Sequence, residues 1–308
     1  MNSAVKRRYL AFFQGTPGEK IFDVFLYIFM ITVLIVTLFP FLNAVAIAFN
    51  QSSDAMKGGI GIWPRVPTLK NFQALSRFPG LGQGMFISAL RTIIGTVASV
   101  LCTSMLAYAI SRRDFVLRRF TTLLFLVTMY IDCGLIPHFM VIRMFRLNNN
   151  FWVYIIPGLI SAYNLIVMRS FIDQLPYSLQ ESAFLDGAND FVIFARIVMP
   201  LCTPVIATIA LFCAVGQWNS WFDTFLYAPF EDSITTMQYE LMKVLRNASA
   251  SANAAHMDAA GRSAMASSVS PLSVRMTITV VSILPIISVY PFVQKYFVTG
   301  ITLGAVKS

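Results

Sequence analysis

Pro176-Tyr-Ser-Leu-Gln-Glu-Ser-Ala-Phe-Leu-Asp-Gly-Ala-Asn-Asp-Phe-Val-Ile-Phe-Ala-Arg-Ile-Val-Met-Pro200 is a polar, helix-patterned island between two long apolar stretches. An island of this kind has no need of lipid contact and is free to meet a soluble partner. Ser178 and Glu181 have capping-box spacing, which predicts the start of a short helix. Leu179, Ala183 and Phe184 then fall on one face of it. Gly187 suits a left-handed turn that ends it, because a Cβ resists that conformation. Asn189 or Asp190 is placed to cap a second short helix bearing Phe191, Phe194 and Val198, and Pro200 to open the next apolar span, where a missing N–H costs little.

The flanking composition sets the class. The chain has 308 residues, 57% hydrophobic and 12% charged, with a mean hydropathy of +0.69. Soluble domains carry about 25% charged residues, so too little polar surface is available here to keep a folded chain dissolved. Six segments are long enough to cross about 30 Å of hydrocarbon as helices. They are Ile21–Phe49, Gly84–Ile110, Phe120–Val141, Phe151–Ile172, Pro200–Phe225 and Thr277–Phe297, and Pro40, Pro137, Pro285 and Pro291 lie inside three of them. The expected fold is therefore an all-α integral membrane protein with six transmembrane helices. The first apolar run is far longer than a signal-peptide core and reads as an uncleaved helix.

Lys6, Arg7, Arg8 and Lys20 precede the first span, and Arg112, Arg113, Arg118 and Arg119 crowd a short loop after the second. By the positive-inside rule, both termini and the 176–200 island are expected on the cytoplasmic side. The formal net charge of +9 is scattered or juxtamembrane, which fits retention signals and anionic membrane lipid and argues against nucleic acid. Cys102, Cys133, Cys202 and Cys213 lack metal or redox spacing and read as packing residues, and His138 and His256 lack a partner cluster, so no metal is expected. No phosphate-binding GxxxxGK[ST] and no nucleophile–base set occurs, so no catalytic residue and no cofactor is assigned. Energy for any work has to come from elsewhere.

The spacing Glu181-Ser-Ala183, three residues, Gly187, nine residues, Ile197, one residue, Met199-Pro200 resembles the EAA loop, E-A-A-x3-G-x9-I-x-L-P, of ABC importer permeases, with Ser182 and Met199 as conservative departures. Cys133-Gly-Leu-Ile-Pro137, Asn164-Leu-Ile-Val-Met-Arg169, Gln217-Trp-Asn-Ser-Trp221 and Tyr290-Pro-Phe-Val-Gln-Lys-Tyr-Phe297 resemble the carbohydrate-uptake permeases, especially the branch for oligosaccharides from complex polysaccharides. The resemblance implies a type I importer fold in the bacterial cytoplasmic membrane. It also implies two ATP-binding cassette subunits, a second homologous permease and an extracytoplasmic solute-binding protein as partners. On this reading residues 1–20 form a basic arm, 21–83 the first span and an outer loop with turns, 84–297 the transport core, and 298–308 a cytoplasmic tail.

The coupling residues so implied are Leu179, Glu181, Ser182, Ala183, Phe184, Asp186 and Gly187, with Leu179, Ala183 and Phe184 as the apolar face entering an ATPase groove. Sugars are held by aromatic stacking and by amide and hydroxyl hydrogen bonds. The substrate-path candidates are therefore Tyr163, Asn164, Gln217, Trp218, Asn219 and Trp221, with Gln217 and Trp221 expected on one face at i, i+4 spacing. Arg91, Asp132 and Asp223 are read as near span ends or paired rather than as proton relays. Two alternatives stay open: an importer for another small solute, and an ion-coupled secondary transporter, which would favour internal repeats and intramembrane carboxylates and would not need the 176–200 island.

Overall fold

The computed structural model describes residues 16–76, 80–255 and 270–305. The basic arm before Thr16, His256, most of the Ala/Ser-biased segment and the last three residues lie outside them. Among the described residues every element is helical apart from one isolated antiparallel bridge between Asn50 and Pro67. The chain forms two compact units. One comprises the described residues through Leu75 with those of 251–280, the other 76–250 with the described part of 281–308.

In the first unit, α1 (Pro17–Ala48) begins where Thr16 N–H donates to Glu19 Oε2 at 2.7 Å and Pro17, lacking an N–H, needs no acceptor. Its apolar side chains from Ile21 to Leu42 are almost all exposed, as suits a helix whose solvent is hydrocarbon. Burial starts at Ala44, and there the loop that follows closes on the helix end, Asn43 Nδ2 donating to the Ile60 carbonyl at 2.6 Å. This loop is more ordered than the turns expected of it. Asn71 Nδ2 donates to the carbonyls of Ala48 and Asn50, both at 2.8 Å, and Asn50 Oδ1 accepts from Val66 N at 2.7 Å. These amides satisfy backbone groups that a helix end leaves orphaned, and they fix the short helices α2 (Ser52–Ala55) and α3 (Lys70–Ser76).

The second unit is built on α4 (Leu81–Ser111). Its buried stripe, Gly84, Ser88, Arg91, Gly95, Ser99, Thr103 and Ala107, recurs every three or four residues and is mostly small. Between helices in lipid, where hydrophobic exclusion gives no drive, small residues let backbones approach and gain dispersion contacts. A Cβ on Gly95 would stand 2.8 Å from Gln217 Nε2, and one on Gly84 would stand 3.0 Å from Met237 N. After α4 come α5 (Arg118–Tyr130), α6 (Leu135–Met144), two 3₁₀ turns over Phe151–Gly158, α7 (Ala162–Ile172), α8 (Tyr177–Leu185), α9 (Asp190–Leu201), α10 (Thr203–Asn219), α11 (Phe222–Tyr227), α12 (Met237–Ala255) and α13 (Pro271–Ala305). Helices α7 and α10 pack on α4 around Leu165, Met168, Val205 and Ile209.

Among the described residues three helices are long and apolar enough to cross a membrane unbroken, or up to five if each of two bent pairs is one span, so the expected count of six is not confirmed. The third expected span is divided. Gly134 sits at φ +79°, its N–H bound by Asp132 Oδ1 at 3.2 Å, which stops α5 and leaves Pro137 in the first turn of α6 rather than inside a span. The fourth starts as 3₁₀ turns and bends by 48°. The fifth ends at Asn219, earlier than Phe225, and the sixth continues as helix past Phe297 to Ala305.

Candidate functional site

Helix α8 starts two residues earlier than the capping-box pattern requires. Pro176 is the N-cap, its ring setting φ at −59° and its carbonyl accepting from Leu179 N at 3.2 Å. Ser178 is thereby inside the helix, no side chain caps it, and the Ser178–Glu181 box does not form. The helix end is as expected. Gly187 has φ +81°, its N–H donates to the Phe184 carbonyl at 3.0 Å, and Ala188 N–H donates to Ala183 at 2.9 Å, the paired closure that a left-handed residue makes possible. Asn189 Oδ1 then caps α9 through Val192 N at 2.9 Å.

Within α9, residues Phe194–Val198 form a π turn in which Met199 N–H reaches back five residues to Phe194. That wider turn sits just before Pro200, which has no N–H to give an α-helical partner. The chain bends by 82° at Cys202, and α10 begins at Thr203 with Pro204 in its first turn. Pro204 therefore opens the apolar helix, in the role expected of Pro200. Pro200 ends α9 instead, its carbonyl accepting from Thr203 Oγ1 at 2.6 Å.

The faces of α8 also differ from the simple apolar reading. Ala183 packs inside this chain's own core at 9% exposure, so it is not part of an outward apolar face. Gln180 is buried beside it. Leu179, Glu181, Ser182, Leu185 and Asp186 face outward, with Leu185 86% exposed. Phe184 is half covered by Arg112, whose guanidinium carbon lies 4.6 Å from the ring centre. Arg112 ends α4 and binds both helices of the loop, donating to Gln180 Oε1 at 3.3 Å and pairing with Asp190 Oδ1 at 3.5 Å. Its Nε also meets Asp114 Oδ1 at 3.2 Å. A hydrogen bond from its own backbone, then the Arg112 guanidinium, holds the Asp114 carboxyl below the usual carboxylate range. Periodicity gave no sign of Gln180, and Arg112 counted in the sequence only as a topology charge.

A second feature lies along α4, α7 and α10. A cavity of about 640 Å³ is lined by Tyr163, Asn164 and Gln217 among the candidates, with Arg91, Tyr154, Phe212, Ser220 and Asp223. Arg91 is 3% exposed. Its Nε donates to Gln217 Oε1 at 2.6 Å, its Nη1 to the Ser220 carbonyl at 3.3 Å and its Nη2 to Asp223 Oδ2, while its guanidinium lies over the Tyr154 ring. Gln217 Nε2 completes the set on the Tyr154 carbonyl at 3.2 Å, and Ser220 Oγ donates to Asp223 at 2.7 Å. Arg91 and Asp223 are thus paired, as one of the sequence readings has it.

The remaining candidates leave the cavity. Trp218 turns away, buried, with Nε1 on the Ser282 carbonyl at 3.1 Å. Asn219 ends α10 and is exposed. Trp221 lies past that end and packs edge-on against Phe222, so the i, i+4 relation to Gln217 fails because the helix stops between them. Asn164 is buried, with Nδ2 3.6 Å from Cys213 Sγ. Tyr163 keeps half its surface open.

No family model matches the chain. It is 33% identical over 291 residues, 94% of its length and 99% of the relative's, to the polygalacturonan/rhamnogalacturonan transport system permease protein YtcP of Bacillus subtilis (strain 168). It is also 33% identical to the protein LplC of the same organism, over 95% of this chain and 97% of that one. An arabinooligosaccharides transport system permease protein, AraQ of Halalkalibacterium halodurans, is 27% identical over 88% of this chain and 92% of its own. Among solved structures, a chain of a bacterial ABC transporter involved in the import of the acidic polysaccharide alginate superposes with a TM-score of 0.80 at 26% identity, covering 92% of this chain and 99% of that chain.

Proposed function

The chain belongs to the membrane permeases of ABC sugar transporters, and from that premise we propose that it imports oligosaccharides released from polysaccharides across a bacterial cytoplasmic membrane. It is a multi-pass, non-catalytic subunit, and ATP hydrolysis belongs to separate subunits. The oligosaccharide assignment is supported by the relatives' printed substrates. In our reading the working assembly holds two ATP-binding cassette subunits, a second homologous permease and an extracytoplasmic solute-binding protein. Both termini and α8 face the cytoplasm. Closure of the ATPase dimer pushes on α8, and the two permeases swing between inward- and outward-open states around the cavity walled by Tyr163 and Gln217.

The observation that carries this reading is the form of α8. It is a short helix exposed along Leu179, Glu181, Ser182 and Leu185, fastened from behind and ended at Gly187, as a part that receives force from outside has to be. A tagged chain expressed with its neighbours is expected to bring an ATPase and a second permease through purification. Glu181→Lys is expected to leave membrane insertion intact while weakening ATPase association or coupled uptake; normal uptake by that variant would remove α8 from the mechanism. Titrating the cognate binding protein with neutral and acidic oligosaccharides fixes the substrate. Tight binding of a monosaccharide or glycerol phosphate instead would replace the oligosaccharide.

A further inference from the structure

We propose that Arg112 is the positioning residue that sets the angle of α8 and passes its displacement to the cavity-lining helix α4. This inference rests on the reading of α8 as the element that receives force. Beyond the short link of residues 173–176 back to α7, two paths lead inward from α8. The covalent one runs through Gly187, the π turn at Phe194–Val198 and the 82° bend at Cys202 before it reaches α10. A left-handed turn, a wide turn and a break in series make that path compliant.

The other path is Arg112 itself. It is the C-cap of α4, where a cation also complements the partial negative charge of the helix end. From there one side chain, 11% exposed, meets Gln180 on α8, Asp190 on α9 and Asp114 in the loop, and covers the Phe184 ring. Tyr108, one turn earlier on α4, adds a hydrogen bond from its hydroxyl to the same Asp190 oxygen at 3.3 Å. A planar guanidinium holds its donors in a rigid fork spread over three nitrogens, whereas a lysine ammonium presents its three donors from one rotatable point on a flexible stem. The buried side of α8, Gln180 and Ala183, is the side turned to this contact, and the opposite side is the exposed one. Displacement received on the outer face is therefore handed to α4, which carries Arg91 into the cavity wall.

The test uses the complete transporter in proteoliposomes, with Arg112→Gln and Arg112→Lys. The readouts are solute moved per ATP hydrolysed, the thermal unfolding midpoint of the complex, and photo-crosslinking from a photoreactive phenylalanine analogue at position 185. Arg112→Gln is expected to keep the crosslink to the ATPase and a near-normal midpoint while solute moved per ATP falls about fivefold, the scale of a partly exposed charge network. Arg112→Lys is expected to restore only part of the loss, and Asp190→Asn to add little in the Arg112→Gln background because both act through one contact.

An unchanged transport ratio in Arg112→Gln overturns the proposal. So does a loss that tracks the unfolding midpoint. Should Arg112→Gln fail to assemble, Arg112→Lys decides: a normal ratio there counts against the role. Absence of any crosslink from position 185 in the otherwise native chain fails the force-receiving reading itself, whatever Arg112 does.

Discussion

Arg91 and Arg112 stand on one helix, about 30 Å apart at roughly 1.5 Å per residue, and the structure treats them in opposite ways. Arg91 is closed in, with every side of its guanidinium met by Gln217, Ser220, Asp223 or the Tyr154 ring. Arg112 has longer contacts, between 3.2 and 3.5 Å, to partners such as Asp114 and Asp190 that remain largely open to water. A charge within the bundle has to be fully answered, because an unmet one costs several kcal/mol there. Near water the same residue type holds its partners loosely and can let them shift. One end of α4 is built for permanence, the other for adjustment.

Substitutions sharpen the contrast. Arg91→Ala is expected to cost the most, about 3 kcal/mol in the unfolding of the detergent-purified complex, because it strands Asp223 and Gln217. The double change Arg91→Met with Asp223→Leu should recover most of that, which would mark the pair as a device for specificity of packing more than for net stability. Next in size is Gly95→Ala, about 2 kcal/mol, since its Cβ meets Gln217 at 2.8 Å and forces that amide off Arg91. An undiminished melting temperature in Gly95→Ala would mean that Gln217 has room to move, and the Arg91 end would be less rigid than described.

At the other end the expected effects shrink. Gly187→Ala meets no neighbour within 4 Å, so its cost is the backbone conformation alone, about 1 kcal/mol. The smallest effect concerns Asp114. Its folded carboxyl titrates lower than the unfolded one, so its contribution is complete above about pH 4 and is lost as pH falls through the folded value. The small difference in melting temperature between the native chain and Asp114→Asn should therefore vanish on acidification. A difference that persists in acid would separate Asp114 from the Arg112 contact.

What the sequence made legible was local. The Gly187 turn and the Asn189 cap depend on a few consecutive residues, whose conformational preferences act whatever the surroundings. The apolar runs likewise depend only on composition and length. Three kinds of feature stayed hidden. Ala183 looked like an outward apolar residue because helical periodicity gives a face but not which neighbour it meets. The break before α6 needed Asp132 and Gly134 to be read as a turn inside an apolar run. The Arg91, Gln217 and Asp223 constellation joins residues far apart in the chain, and only the packing of α10 on α4 brings them together. The small-residue stripe from Gly84 to Ala107 was the readable signal for that packing. Trp218 shows the same limit: one residue from Gln217, it serves the opposite side of the helix.

The closed pairing of Arg91 has a bearing on cargo selection. Its guanidinium and the Asp223 carboxylate cancel, so on the proposed function a saccharide passing Gln217 and Tyr163 meets rings and amides on a wall whose one ion pair, Arg91 buried and Asp223 partly exposed, carries no net charge among the described residues. Acidic and neutral chains of equal girth would pass this half of the gate with similar ease. On the assembly proposed above, discrimination by charge is left to the solute-binding protein that delivers the cargo or to the second permease.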